Sequence, residues 1–408
     1  MIINIFRWIA VLAIAFVAGK LMTKIKMPSI LGWLIVGMIL GPHALKLMPQ
    51  NVLDAGWYKI IIIWMQCAFG VMLGSELIWS KLKSFGKSLV ITTLTQSLGT
   101  FAIVSLAFGI IFYFTDIPVY LAFVFGGIAL ATAPAPALSI VNEFHAKGPV
   151  TDSLLPMTIL DDVVGIAVFF TVNSLIARMA SSGTIPLYMI PVMIFLPIVI
   201  GAIIGFPTGL ILKKCNNKST NLIVLLGGIT VTMLTGWIIN TFLLSGITLN
   251  YMLMGVSFSA VFSNMITPEQ REHIDNYFAP ILGVALLAAI VDLGAPLDYH
   301  LILGAGLYTF VYIAARTFGK YFGARIGAKF THMPDTVKKY LGLTLLPHSG
   351  VSLVFTGIIC STLASAPELV KIVQGTIAAA AVINEFIAVI AAKKGFELAG
   401  EIKRDSFN

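Results

Sequence analysis

The sequence predicts an all-α polytopic membrane protein of about 13 transmembrane helices, arranged as an inverted repeat with two broken crossing helices. Three observations carry that expectation. Of the 408 residues, 58% are apolar and only 11% are charged, where a soluble chain carries roughly a quarter charged residues. The apolar residues gather into repeated runs close to the ~20 residues that a bilayer-spanning helix needs. Two of these runs are interrupted near their middles by proline.

Taken in order between charge or turn clusters, the runs are 2–22, 27–42, 57–78, 88–114, 118–141, 154–178, 186–212, 220–243, 246–266, 277–297, 301–322, 337–362 and 368–392. The first follows a single Arg7, has no small-x-small cleavage site before Lys20, and is longer than a signal peptide's apolar region. It therefore reads as a retained helix. No stretch outside the runs is long enough for a soluble domain, so residues 1–408 read as a single membrane domain.

The formal net charge is +8, but the basic residues sit in short groups between apolar runs and form no nucleic-acid stripe. Their distribution gives a direction instead. With the N-terminus outside, 20 Lys and Arg fall on the cytoplasmic side, in loops or at run ends, and 5 fall opposite, which leaves Arg316, deep in the eleventh run, as the one basic residue assigned to neither. Short cytoplasmic loops hold the basic excess, so the N-terminus is expected outside and the C-terminus in the cytoplasm. Cys67, Cys215 and Cys360 show no C-x-x-C spacing and offer neither a disulfide framework nor a zinc site.

The fifth run is broken at Thr132-Ala133-Pro134-Ala135-Pro136 and the twelfth at Pro347-His348-Ser349-Gly350. Proline removes a backbone donor, so polar backbone freed at membrane depth must find protein, ion or water. The two runs point in opposite directions through the membrane, as an inverted repeat requires, and paired interrupted helices point to a transporter's binding site.

Asp161 and Asp162 lie about nine residues into the sixth run, near the bilayer midplane. Each ionisable group there costs about 2.5–3.5 kcal/mol on an insertion scale, and such residues mark ion paths. Burial penalises a bare carboxylate, so a proton and a metal ion can compete for the same oxygens. Arg316, deep in the eleventh run, either neutralises one Asp or snorkels; Lys320, one turn nearer the cytoplasm, reads as snorkelling. His348 reads as a hydrogen-bonded core histidine, Glu76 and Asp292 as boundary residues, and Asn384 and Glu385 as structural partners of the broken helices. The series Gly319, Gly323 and Gly327 permits close helix packing. An intramembrane aspartyl protease is disfavoured, because adjacent residues project about 100° apart on a helix.

In these residues the chain resembles the monovalent cation/proton antiporter superfamily, in particular the bacterial sodium/proton type with paired aspartates. The likeness rests on Pro28-Ser29-Ile30-Leu31-Gly32-Trp33-Leu34 with Gly37 and Leu40-Gly41-Pro42, then Gly74-Ser75-Glu76-Leu77 and Ala131-Thr132-Ala133-Pro134. It continues through Asp161-Asp162-Val163-Val164-Gly165, Arg316 with Gly319-Lys320, and Ala399-Gly400-Glu401, in family order. The resemblance implies scaffold helices at about 2–78 and 220–297, a linker helix at about 186–212, and core helices at about 88–178 and 301–392. It implies a homodimer in the cell's inner (plasma) membrane that moves its core like an elevator. Asp162 is then the main ligand of the transported Na+ or Li+, Asp161 pairs with a basic residue, Arg316, and Thr132 contributes at the unwound fifth helix. No cofactor is implied beyond the transported cation and protons, and no enzyme activity. Potassium/proton exchange and a passive cation channel are the alternatives. Three departures from the family pattern stand out. Arg316 occupies the basic position where paired-aspartate relatives often have Lys, Leu346-Pro347-His348-Ser349-Gly350 replaces a motif with Arg before Gly, and no nucleotide-gating domain follows.

Overall fold

The computed structural model describes residues 2–24, 29–84, 86–133, 137, 140–141, 144–180, 189–215, 217–243, 249–295 and 306–402. Apart from turns and short connections the described residues are helical, and their one extended pairing is an isolated antiparallel bridge between Thr132 and His348. The helices are α1 (Ile2–Lys24), α2 (Ser29–Leu40), α3 (Gln50–Leu53), α4 (Gly56–Ser75), α5 (Trp79–Ser84), α6 (Lys87–Tyr113), α7 (Leu121–Ile128) and α8 (Pro149–Ala180). After them come α9 (Met189–Lys214), α10 (Lys218–Ile238, continued by a π turn to Leu243), α11 (Tyr251–Ser263), α12 (Pro268–Gly294), α13 (Gly306–Phe330), α14 (Asp335–Thr344), α15 (Gly350–Thr362) and α16 (Pro367–Leu398). Seven spans, Ile3–Met22, Gly56–Ser75, Lys87–Tyr113, Pro149–Ala180, Pro191–Lys214, Lys218–Phe242 and Pro268–Gly294, are by themselves long and apolar enough to cross a bilayer. The remaining apolar runs are shorter helices such as α11 and α15, 13 residues each, or are broken or polar in part, so length and composition alone do not reach thirteen.

Several helices outrun the apolar segments that announce them, because their end turns are polar and capped. The tenth run, expected from 277, begins at Pro268, where Thr267 and Gln270 form a reciprocal capping box and proline fills the first turn. The eleventh continues to Phe330 with Lys329 in its last turn, where a cation complements the helix dipole. The sixth starts at Pro149, and its first amides are closed from far away in sequence. Glu401 accepts from the Val150 and Thr151 amides at 2.7 and 2.9 Å and from the Thr151 hydroxyl at 2.7 Å. Gly148 and Gly400 turn the chain at positive φ of 155° and 74° beside this contact.

Buried apolar side chains form two large clusters. One gathers Trp8, Val36, Met65, Ile229, Phe258 and Ala288 from α1, α2, α4 and α10–α12. The other gathers Phe108, Phe125, Phe169, Tyr312, Phe355 and Ile377 from α6–α8, α13, α15 and α16, and continues into α2, α4, α11 and α12 through Leu34, Phe69, Val256 and Leu293. Within the second, α13 lies directly on α6. A Cβ at Gly319, Gly323 or Gly327 would stand 2.7 Å from the Cα of Thr100, Gln96 or Thr92, so only glycine permits this approach.

Candidate ion-binding site

The site is assembled where the break after α7 meets the break before α15. At the first break, residues 129–133 leave the helical path; at the second, Leu345–Ser349 do so. The breaks are tied together by the Thr132–His348 bridge and by the Ala133 amide, which donates to the Pro347 carbonyl at 3.2 Å. Ser349 caps α15, its hydroxyl accepting from the Val351 amide at 3.2 Å, and Gly350 is the first residue of that helix. Pro134 and Pro136 lie outside the described residues.

Carbonyls released by the breaks need donors, and Arg316 supplies them. Its guanidinium donates to Ala129 and Ala131 at 3.0 Å each, to Leu346 at 2.5 Å and to Pro347 at 3.3 Å. Asn384 adds a bond to the Leu346 carbonyl at 2.9 Å, in keeping with its expected structural partnership; the Glu385 side chain lies outside the described residues. Arg316 is 1% exposed and does not snorkel. It stitches two breaks from opposite ends of the sequence.

Lys320 is also fully buried, contrary to the expectation that it snorkels. One helical turn from Arg316, it faces the same junction, where its ammonium pairs with Asp161 Oδ2 at 2.6 Å, donates to the Thr132 hydroxyl at 2.7 Å, and reaches the Leu130 carbonyl. A buried ammonium held this closely has no route to the interface, because α13 is pressed against α6 by the glycine seam. The basic side chain against Asp161 is thus Lys320, and the described guanidinium bonds of Arg316 go to backbone.

Asp161 has both oxygens engaged. Oδ1 accepts from Ser97 at 2.5 Å and Oδ2 from Thr132 at 2.6 Å in addition to Lys320. Asp162, about 100° further round α8, differs: its Oδ1 is buried with no hydrogen-bond partner among the described residues. One carboxylate is saturated by protein, and its neighbour keeps coordination capacity. Ser97 was not singled out by the sequence reading, although a polar stripe of Thr92, Thr93, Gln96, Ser97 and Thr100, all buried, marks that face of α6. His348 is buried with Nε2 3.4 Å from the Tyr312 hydroxyl, matching the core-histidine reading.

Two acids read as boundary residues line cavities. Glu76, with Arg271 and Asp275, faces a cavity of about 480 Å³ that also touches Ile159, one turn before Asp162. Glu76 is close enough to Asp162 to act on it electrostatically. Asp292 lines a second cavity of about 400 Å³ at the other end of α4. Hydropathy places both residues near the ends of apolar runs, but it does not reveal that neighbouring helices splay there. Among the described residues no group of three His, Cys, Asp or Glu side chains is placed to hold a metal ion.

The family model described as "Sodium/hydrogen exchanger, transmembrane" matches residues 11–393. No curated protein sequence matches the chain. A solved structure of the sodium proton antiporter MjNhaP1 from Methanocaldococcus jannaschii at pH 8 is similar with a TM-score of 0.74 and 20% identity, over 98% of this chain and 99% of that one. An electron-microscopy structure of the same antiporter matches with a TM-score of 0.64 and 19% identity, over 97% and 99%.

Proposed function

Because the chain belongs to the transmembrane sodium/hydrogen exchanger family, we propose that it exchanges Na+ (or Li+) for protons at Asp162, with Asp161 and Thr132 shaping the site. The observation that carries this reading is the asymmetry of the aspartate pair: Asp161 is saturated by Ser97, Thr132 and Lys320, while Asp162 retains an unpartnered oxygen. A desolvated cation and a proton are alternative ways of neutralising that oxygen. Only a neutralised site avoids dragging a naked charge through the membrane, which couples the two fluxes.

On this reading the ion enters from the Glu76 side. Ile159 lines that cavity and is three residues from Asp162, whereas Asn173, on the opposite cavity, is eleven residues away, about 17 Å along α8. The positive-inside bias makes the Glu76 side cytoplasmic. By the same reading α6–α8 and α13–α16 form a core that moves against a scaffold of α1, α2, α4 and α10–α12, and the shared packing of Phe108, Phe125, Phe169, Tyr312 and Phe355 supports the core helices moving as one body. The core then slides like an elevator, and the homodimer supplies a fixed frame.

Lys320 on Asp161 removes an objection to exchanging two protons per cation, since an ammonium can release a proton and a guanidinium cannot. The deciding experiment is purified protein in liposomes, with internal pH followed as Na+, Li+, K+ and choline salts are added in turn. Antiport gives proton movement with Na+ or Li+. A response to K+ alone reassigns the cation, and cation flux independent of a proton gradient identifies a channel. Asp162→Asn abolishes cation-driven proton movement while the protein stays folded; retained exchange in that variant overturns the site assignment.

A further inference from the structure

We propose that Asp292 forms a second cation-docking site, on the membrane face opposite the Glu76 cavity, where a hydrated monovalent cation is captured before it reaches the aspartate pair. The proposal rests on the exchange reading above and adds a residue which that reading does not use. Asp292 lies on α12 and borders a cavity of about 400 Å³ whose wall includes Tyr58, Gln66, Asn173, Asn250 and Thr362. Lys59 and Ser361 are exposed and also border it, so the cavity opens to water there.

The geometry distinguishes a docking carboxylate from a merely tolerated one. Tyr58 donates to Asp292 Oδ1 at 2.7 Å, a bond that fixes the carboxyl and leaves its other oxygen for a guest. Tyr58 is itself locked by edge-to-face contacts with Trp8 and Trp57 at centroid distances of 6.1 and 5.8 Å. Around the acid the wall offers amide and hydroxyl oxygens, ligands suited to a hard monovalent ion that keeps part of its water. The wall also comes from both helix groups that the exchange reading sets against one another. Tyr58, Gln66 and Asp292 belong to α4 and α12, whereas Asn173 and Thr362 belong to α8 and α15, where the Thr362 hydroxyl donates to Asn173 at 2.8 Å. A cation held here sits at the seam along which the core moves. Tyr58 and Glu76, at opposite ends of α4, are about 27 Å apart by helical rise, so the two cavities serve opposite faces.

The test uses Asp292→Asn, which is isosteric and still offers Tyr58 an acceptor, and so removes charge without removing the fixed hydrogen bond. Na+-driven proton movement is titrated in everted and in right-side-out vesicles from cells lacking other exchangers, which reads half-saturating Na+ from each face. Docking at Asp292 predicts a rise of about tenfold from one face only, equivalent to about 1.4 kcal/mol, with the other face within twofold and the maximal rate kept. Asp292→Glu, which restores the charge, returns the affected value toward wild type. The proposal is overturned if Asp292→Asn shifts neither face, shifts both equally, or merely lowers the melting temperature in detergent with no one-sided change. Absence of exchange by the wild-type protein with any monovalent cation would instead sink the exchange reading itself.

Discussion

At the scale of single residues, the aspartate pair shows how far a sequence pattern reaches. Two acids at membrane depth and a broken run beside them were legible because each violates the cost of burying charge. Their division of labour was not legible, since it depends on which of two neighbours faces α6 and α13. The choice between Arg316 and Lys320 shows the same limit: one helical turn separates them, and hydropathy placed Lys320 near an interface that the fold puts elsewhere. The ion pair between Lys320 and Asp161 yields a prediction. Lys320→Met leaves a buried carboxylate uncompensated, and losing one partner of such a pair costs about 3–5 kcal/mol. The double variant Lys320→Met with Asp161→Asn recovers much of that loss, as a thermal-melting double-mutant cycle in detergent will show. If the single and double variants melt at the same temperature, the pair does not stabilise the site.

Between elements, the α6–α13 seam and the start of α8 matter most. The spacing of Gly319, Gly323 and Gly327 announced a close helix contact, but not its partner, which only the folded chain reveals. Gly323→Ala puts a Cβ 2.7 Å from the Gln96 Cα, and because that neighbour is backbone the helices must part. A loss of about 1–3 kcal/mol is expected, together with weaker exchange, since Ser97 and Lys320 sit on the same two helices. An unchanged melting temperature would show that the seam is slack. Glu401 acts on another element end. Glu401→Gln weakens the closure of α8's first amides, a loss of about 0.5–2 kcal/mol for a capping group, read as faster hydrogen exchange at Val150 and Thr151 than at mid-helix amides. The resemblance drew attention to Ala399-Gly400-Glu401, yet nothing in the local sequence tells that its carboxylate reaches an amide 251 residues away.

For the whole molecule, the all-α class and the two interrupted helices were legible from composition and proline placement, because lipid permits few backbone solutions. The cavities were not, being spaces between helices whose tilt no single run encodes. The interlocking of the breaks has a consequence for how this protein could have arisen and how it can be divided. Ala129 and Ala131, in the first half of the chain, are served by Arg316 in the second, and Ala133 pairs with Pro347. The first half alone would leave the Ala129 and Ala131 carbonyls without their Arg316 donor, and the second half alone would lose the Ala133 amide from Pro347, so neither is expected to mature by itself. Coexpressed as separate polypeptides divided between α8 and α9, the halves are expected to copurify and regain exchange together, and to be degraded when made singly. A lone half that accumulates intact in the membrane would show that this mutual dependence is dispensable.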